Sequence, residues 1–207
     1  NHIFAGTYLD GVFRSTDGGQ TWNDLGEIMI VSPYSGSLAF AVTSPLNIVA
    51  TDGAGNMFHS IDAGLNWAQV FTAPGGVLPS YLSSAVPFFA DEQTGYFGYG
   101  PGFIIKTTDA GASWFQVSSG SGNSINDMDR FANGDIIAVG ENGTILKKAN
   151  GSSRWSMQTS VTQTNFKAIQ IIGTSEAVAV DDAGKIFTST DGGINWIGAN
   201  TSPQDLL

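Results

Sequence analysis

Two carboxylates in one short run are the strongest candidates for chemistry in this sequence. Asp127 and Asp129 stand two residues apart, just before Arg130, so on a β-strand both side chains would point to the same face. A pair of carboxyl groups about 5 to 10 Å apart is sufficient for glycoside hydrolysis. Asp127 and Asp129 are therefore the candidate catalytic residues. A second set of acids falls in Gly-rich turns, namely Asp10, Asp52, Glu141, Asp181 and Asp182.

A structural interpretation of the same acids is the simpler one. Asp is common in turns because its carboxylate accepts hydrogen bonds from nearby backbone N–H groups. Strand positions that face a water-filled channel also tolerate charge. A general acid requires in addition a raised pKa, which only the folded environment creates.

The composition excludes several classes of function. There are no cysteines, and the two histidines, His2 and His59, lie outside any spaced cluster, so we expect no thiol chemistry, no metal site and no cofactor. A calcium site made by the turn acids is the alternative. The net charge of −10, with eight Lys and Arg, argues against nucleic acid as a partner. No segment approaches the ~20 apolar residues that span a bilayer.

A repeated octet indicates which elements position these acids. The five tryptophans stand 45, 47, 41 and 41 residues apart, and each closes a copy of the pattern Ser/Thr-x-Asp-x-Gly-x-Thr/Ser/Asn-Trp. The copy that ends at Trp155 is degenerate, because Asn150 replaces its Asp. The four good copies carry Asp17 with Trp22, Asp62 with Trp67, Asp109 with Trp114, and Asp191 with Trp196. In each, we expect the Asp to bind backbone N–H groups, the Gly to take a left-handed conformation, and the Trp to be buried between sheets.

Each octet follows two short β-prone runs around a Gly-rich turn, and a further apolar run precedes most of these pairs. Four strands per repeat, at a period of 41 to 47 residues, is the content of a propeller blade. The sequence therefore predicts an all-β fold, a β-propeller of four-stranded antiparallel blades with five repeats. The first repeat lacks its first run, which fits either a closed five-bladed ring or part of a larger propeller. As one domain over 1–207, the repeats lie at approximately 1–30, 31–76, 77–121, 122–162 and 163–207.

The octets resemble the Asp-box, also called the bacterial neuraminidase repeat, and the resemblance covers essentially the whole chain. It implies that the octet acids are structural and lie at the blade periphery, on the turn between the third and fourth strands, opposite the usual active site. Sialidases of this kind clamp their substrate with three arginines. This chain has three in all, and two of them, Arg14 and Arg154, belong to the peripheral hairpins. A sialidase site is therefore not expected.

The remaining candidates lie in the loops that join one repeat to the next. Those at 23–36 and 68–82 are long, and long loops on a rigid scaffold are where binding concentrates. We expect Tyr34, Phe71, Tyr81 and Arg130 to contact a partner, either a protein or a glycan. The chain resembles photosystem II assembly-factor-like and sortilin-like repeat proteins more than enzymes.

Two functions follow. The first is a non-enzymatic binding or scaffold module within a larger extracellular or periplasmic protein. The second is a carbohydrate-active enzyme, or a fragment of one. The sequence begins at Asn1, which we interpret as a mature or excised segment whose leader is not included.

Overall fold

The computed structural model describes residues 2–6, 11–26, 39–52, 55–72, 87–99 and 102–199. These segments form five antiparallel sheets and contain almost no helix, so the prediction of an all-β fold of blade-like sheets is confirmed. The first sheet has three strands in the order β1-β2-β3, and each of the others has four. Within the described residues, the first sheet has no counterpart of the strand that comes first in the other sheets, in agreement with the sequence.

The strand bounds follow the repeats closely. In chain order they are β1 Ile3–Gly6, β2 Val12–Ser15, β3 Asn23–Asp24, β4 Ala39–Val42, β5 Ile48–Thr51, β6 Met57–Ser60, β7 Ala68–Phe71, β8 Phe88–Phe89, β9 Gly95–Tyr99, β10 Phe103–Thr107, β11 Phe115–Ser118, β12 Ile125–Arg130, β13 Ile136–Gly140, β14 Ile145–Lys148, β15 Ser156–Met157, β16 Phe166–Ile171, β17 Ala177–Asp181, β18 Ile186–Ser189 and β19 Ile197–Ala199. A short 3₁₀ turn, Glu141–Gly143, joins β13 to β14.

The chain forms two compact units, Asn1–Phe97 with Ile105–Phe115, and Gly98–Ile104 with Gln116–Leu207. In each, the middle strands of the sheets carry the core. Every residue of β5 and β13 is buried, as expected for strands that are covered on both faces. In the second unit Phe131, Ile137, Phe166, Phe187 and Trp196 belong to one apolar cluster.

Each of the four good octets forms the turn between the last two strands of its sheet, and its Asp holds the turn closed. In the first copy Asp17 Oδ1 accepts the Thr21 N–H at 2.9 Å and the Ser15 hydroxyl at 2.8 Å. Its Oδ2 accepts the Thr21 hydroxyl at 2.6 Å. The Trp22 indole N–H donates to the Gly19 carbonyl at 3.1 Å. The same pattern recurs around Asp62, Asp109 and Asp191.

The fifth residue of an octet must be glycine because the turn packs directly against the preceding sheet. Gly64, Gly111 and Gly193 have φ of 86°, 96° and 80°. A Cβ would meet Leu25 Cδ1 at 2.8 Å from Gly64 and Ile137 Cδ1 at 2.5 Å from Gly193. At Gly111 it would collide with Val49 Cγ2. These three octets therefore act as contacts between sheets as well as turns.

A basic side chain adds a second link between consecutive sheets within a unit. Arg14 lies directly before the first octet and donates to the Ala63 carbonyl of the second at 3.0 Å. Lys147 has the same position in the fourth repeat and donates to the Gly192 carbonyl of the fifth at 2.8 Å. Ala63 and Gly192 are both the fourth residue of their octets, so the two links are equivalent.

Burial of the octet tryptophans varies with what covers them. Trp114, Trp155 and Trp196 are at most 9% exposed, whereas Trp22 is 43% exposed. Trp22 therefore departs from the expected burial between sheets. The atoms near a Cβ at Gly19 are those of Ile3 and Trp22 itself, so within the described residues this octet packs on its own sheet.

The degenerate octet takes its carboxylate from another segment. Asp135, in the turn between β12 and β13, accepts the Asn150 N–H at 2.9 Å and pairs with Lys147 at 3.1 Å. The Asn150 side chain donates to the Asn133 carbonyl at 2.9 Å. Burial raises the pKa of Asp135, but the bonds from Asn150 and Lys147 outweigh it and lower the pKa overall.

We expect Gly111→Ala to destabilise the protein strongly. The added Cβ combines strain at positive φ with overpacking against Val49, and together these cost about 2 to 4 kcal/mol. Urea unfolding measures the loss. Gly18→Ala is the matched control, since nothing lies within 4 Å of its Cβ and the equivalent Ala63 and Ala110 already hold φ of 60°. Equal losses in both variants would contradict packing of the octet on the preceding sheet.

Stability should also fall in acid because of the octet carboxylates. The N–H group and side chain of Asn195 hold the pKa of Asp191 at about 2, below the usual value of about 3.9. Hydrogen bonds from Thr21 lower the pKa of Asp17 as well. A lowered folded-state pKa contributes stability above the unfolded value, and this is lost as the pH falls through the folded value.

We therefore expect the urea midpoint to decline between about pH 4 and pH 2. Asp191→Asn should show a shallower decline, since one of these groups no longer titrates. An unchanged slope in the variant would show that Asp191 is not linked to folding.

Candidate functional site

The candidate catalytic acids lie on β12, the first strand of the fourth sheet. Asp127 Oδ2 accepts the Ile169 N–H at 2.8 Å, and its Oδ1 accepts the Met128 N–H at 2.9 Å. Asp129 Oδ2 accepts the Ile171 N–H at 2.6 Å, and its Oδ1 accepts the Arg130 N–H at 2.7 Å. All four carboxylate oxygens thus accept backbone N–H groups.

These side chains cap the free edge of the next sheet. Ile169 and Ile171 belong to β16, which ends the strand order of the fifth sheet. Asn126 on β12 completes the set by donating to the Phe166 carbonyl at 2.7 Å. A strand edge without a partner leaves backbone polar groups unsatisfied, and here side chains of β12 satisfy them. The arrangement gives Asp127 and Asp129 a structural task.

One property of Asp127 is nevertheless typical of a general acid. Burial raises the pKa of this carboxyl, and although hydrogen bonds from Ile169 and Met128 lower it, the net direction is upward. The charge of Asp129 also raises it. A raised pKa is one of the properties that a carboxyl group needs in order to protonate a leaving group.

The turn acids hold their own turns. Asp52 is buried, and it accepts the N–H and side-chain amide of Asn56 at 2.9 and 2.8 Å. Asp181 accepts the Lys185 N–H at 2.8 Å and the hydroxyl of Thr164. Burial raises the pKa of Asp181, but these bonds outweigh it, so the carboxylate stays ionised. Asp10 lies outside the described residues.

A continuous row of polar side chains crosses the second unit near the turns between second and third strands. Its members are Asn123, Asn142, Asn165 and Asp182, here termed the amide row. The Asn142 side-chain amide donates to Asn123 Oδ1 at 3.1 Å, and its backbone N–H donates to Asn165 Oδ1 at 3.0 Å. Asn165 in turn donates to Asp182 Oδ2 at 2.8 Å. Asn142 and Asp182 are exposed, and the other two are partly buried.

Two loops that join consecutive sheets position the row through the same device. In the first, Ser119 Oγ accepts the Ser121 N–H, and Ser121 Oγ accepts the Asn123 N–H, both at 3.0 Å. In the second, Ser160 Oγ accepts the Thr162 N–H at 3.3 Å, and Thr162 Oγ1 accepts the Thr164 N–H at 3.1 Å. Alternate hydroxyl groups therefore fix the backbone of the two loops just before β12 and β16, the first strands of the sheets that follow.

The 3₁₀ turn between these loops is fixed as well. Asn142 has φ 50° and ψ 40°, a left-handed conformation that Asn tolerates better than most residues. The Gly143 N–H donates to the Thr164 carbonyl at 2.8 Å, and the Glu141 N–H donates to the Ser124 carbonyl at 3.0 Å. The polar atoms of the row are thus held in place before any ligand arrives.

The amide row was not predicted from the sequence. The available signal is the alternation of Ser or Thr in 119–123 and 160–164, at the same place in two repeats.

Of the predicted binding residues, Tyr34 and Tyr81 lie outside the described residues. Phe71 is partly buried at the end of β7 in the first unit, and Arg130 is exposed at the end of β12 in the second.

Other candidate features are limited. No group of three or more metal-ligating side chains occurs in the described segments. Within the same segments, no helix has the length and apolar character needed to cross a membrane.

His59 Nε2 lies 2.6 Å from Asn47 Oδ1, and burial lowers the pKa of the His59 side chain. In the first unit an open cleft of about 640 Å³ is lined by His2, Ile3, Gly18, Val42, Thr43, Ser44 and Pro45.

Comparison with known proteins identifies the repeat and the fold. The BNR/Asp-box repeat family matches residues 13–24, which cover the first octet. No curated protein matches the chain. Among solved structures, YCF48 bound to D1 peptide is similar with a TM-score of 0.59 and 16% identity over 96% of this chain and 77% of that chain. The GH74 enzyme of Niastella koreensis reaches a TM-score of 0.72 with 17% identity, over 95% of this chain and 36% of that chain.

YCF48 from Cyanidioschyzon merolae is similar at 16% identity, with a TM-score of 0.57 over 96% of this chain and 81% of that chain. Identities this low show the fold alone. Together with the five sheets, they show that the described segments form blades of the β-propeller fold, and the BNR/Asp-box match covers the first of the octets.

Proposed function

We propose that the chain is a non-enzymatic binding module that engages a macromolecular partner through the loops between its blades. The observation that carries this proposal is that all four oxygens of Asp127 and Asp129 accept backbone N–H groups. A catalytic carboxylate must be free to donate a proton or to attack, and these two would leave strand N–H groups unpaired if they did so.

The loops between blades support the binding role. They carry two regular ladders of hydroxyl groups and present the amide row at the surface. A surface that is ordered in advance pays less conformational entropy on binding. The similar protein YCF48 has been solved with a bound peptide, which is consistent with a binding role for blades of this kind. With a net charge of −10, a neutral or cationic partner is favoured over an anionic one.

A carbohydrate-active enzyme is the second candidate, and the raised pKa of Asp127 favours it. The similarity to a GH74 enzyme adds to this alternative. We further propose an extracellular or periplasmic location as one part of a larger protein, because both the scaffold and the enzyme alternatives are typical of such settings.

A hydrolysis assay separates the two functions. We expect the wild-type chain to release no reducing ends from a panel of polysaccharides, because neither acid is free. Turnover that is lost in Asp127→Asn, but kept in the variant Glu92→Gln of an exposed acid, would establish the enzyme instead. Arrays of glycans and peptides, probed with the same protein, should show capture without turnover.

Asp129→Asn should instead lower stability. The amide offers one acceptor oxygen in place of two, so the N–H of Arg130 or that of Ile171 loses its partner. Loss of one such bond costs about 1 to 3 kcal/mol, and urea unfolding measures it. Glu92→Gln serves again as control. A variant as stable as wild type would show that Asp129 does not cap the edge of β16.

A further inference from the structure

We propose that the amide row, together with the exposed ring of Phe103, binds a neutral oligosaccharide. This inference rests on the proposed binding function and names the ligand class for one of its surfaces. All of the residues involved belong to the second unit.

Unused hydrogen-bonding capacity is the first argument. An Asn side chain offers two donor hydrogens and an acceptor oxygen with two lone pairs. Asn142 donates one amide hydrogen to Asn123, and no donor among the described residues reaches its own Oδ1. Asn123 donates one amide hydrogen to Thr144 Oγ1 at 2.9 Å, and Asn165 donates one to Asp182. The row therefore retains both donors and acceptors in fixed positions, which matches hydroxyl groups that donate and accept at once.

A buried hydroxyl beside the row is the second argument. Ser124 is 3% exposed, and its Oγ has no hydrogen-bond partner. It follows Asn123 directly, and its carbonyl holds the 3₁₀ turn that carries Asn142. An unsatisfied buried hydroxyl costs free energy unless water or a ligand group reaches it. Ser124 therefore leaves one polar atom of the loop that carries Asn123 without a partner among the described residues.

The aromatic ring is the third argument. Phe103 is 42% exposed. It follows Gly102, whose N–H donates to the Asn123 carbonyl at 3.1 Å and whose carbonyl accepts the Ser119 hydroxyl at 2.7 Å. Phe103 therefore places an exposed apolar side chain one residue after a backbone group that is bonded to Asn123. The apolar C–H face of a pyranose and its hydroxyl rim need an apolar contact surface and directional bonds together.

Charge selects a neutral sugar over an acidic one. The row contains the carboxylate of Asp182, with Glu141 next to Asn142. Lys185 is adjacent in the same turn, but its charge acts on Asp181. A uronic acid or sialic acid would meet carboxylates without an arginine to pair with it.

A peptide is the main competing ligand, and the geometry disfavours it. Peptides that bind sheet proteins by strand addition require an open strand edge. The amide row consists of side chains at turns, and β13 and β17 beneath these turns are paired on both sides.

Isothermal titration calorimetry with the full chain tests the inference. The probes are cellohexaose, maltohexaose, mannohexaose and xylohexaose, with hexagalacturonic acid as the anionic comparison. We expect at least one neutral hexamer to bind. Asn142→Gly and Phe103→Ala should each weaken binding about tenfold, the effect of losing one good contact of about 1.4 kcal/mol. Asn142→Gly preserves the left-handed turn, and thermal unfolding verifies that both variants fold.

Gln116→Ala is the matched control, because Gln116 is an exposed side chain of the same unit outside the row, and it should bind as wild type does. Binding of the anionic hexamer in preference to every neutral one would overturn the inference, as would neutral binding that is unchanged in Asn142→Gly and Phe103→Ala. If no hexamer binds but a peptide from the array does, the inference fails and the proposed binding function stands. Turnover of a hexamer would overturn the proposed function itself.

Discussion

Outside the strand ladders, many backbone N–H groups of this chain donate to side-chain oxygens of Asp, Ser and Thr. The octet acids, Asp52 and Asp181 do this within single turns. Asp127 and Asp129 do it between sheets, and the hydroxyl ladders do it along the loops. A fold of short strands has many turns, and each turn exposes amides that need acceptors. The acidic composition follows in large part from that requirement.

The fold could be predicted because its determinants are local. The octet needs a carboxylate, a left-handed glycine and an indole at fixed offsets, and these leave a clear pattern in sequence. The hairpins before it are equally local. The pattern could not predict which backbone groups of a neighbouring sheet each polar side chain would bind. Ile169 and Ile171 lie 42 residues along the chain from the acids that bind them. No feature of the sequence around Asp127 predicts a partner at that separation.

The candidate site was missed for a related reason. Asn123, Asn142 and Asn165 come from three separate segments, and each is an ordinary turn residue when considered alone. Sequence reasoning favoured long loops with aromatic residues, and Tyr34 and Tyr81 of those loops lie outside the described residues. The amide row instead lies in shorter, polar segments. Trp22 shows the same limit, since its motif matches that of Trp196 but its exposure depends on whether another sheet covers it.

The two ends of each blade perform different tasks. Octets join third and fourth strands and pack on the neighbouring sheet, while the amide row lies near turns that join second and third strands, at the other end of the same strands. Substitutions in the row therefore leave the octet contacts intact. Such separation lets a binding surface change while the scaffold persists.

The fourth repeat shows how difficult it is for a repeat to regain its consensus. There the acid comes from Asp135, and Asn150 donates its side-chain amide to a carbonyl. Restoring Asp at 150 alone would set a carboxylate oxygen against that carbonyl and add a second negative charge beside Asp135. With Asp135 in place, the consensus Asp is therefore the unfavourable residue at position 150, and a consensus turn here requires two coordinated changes.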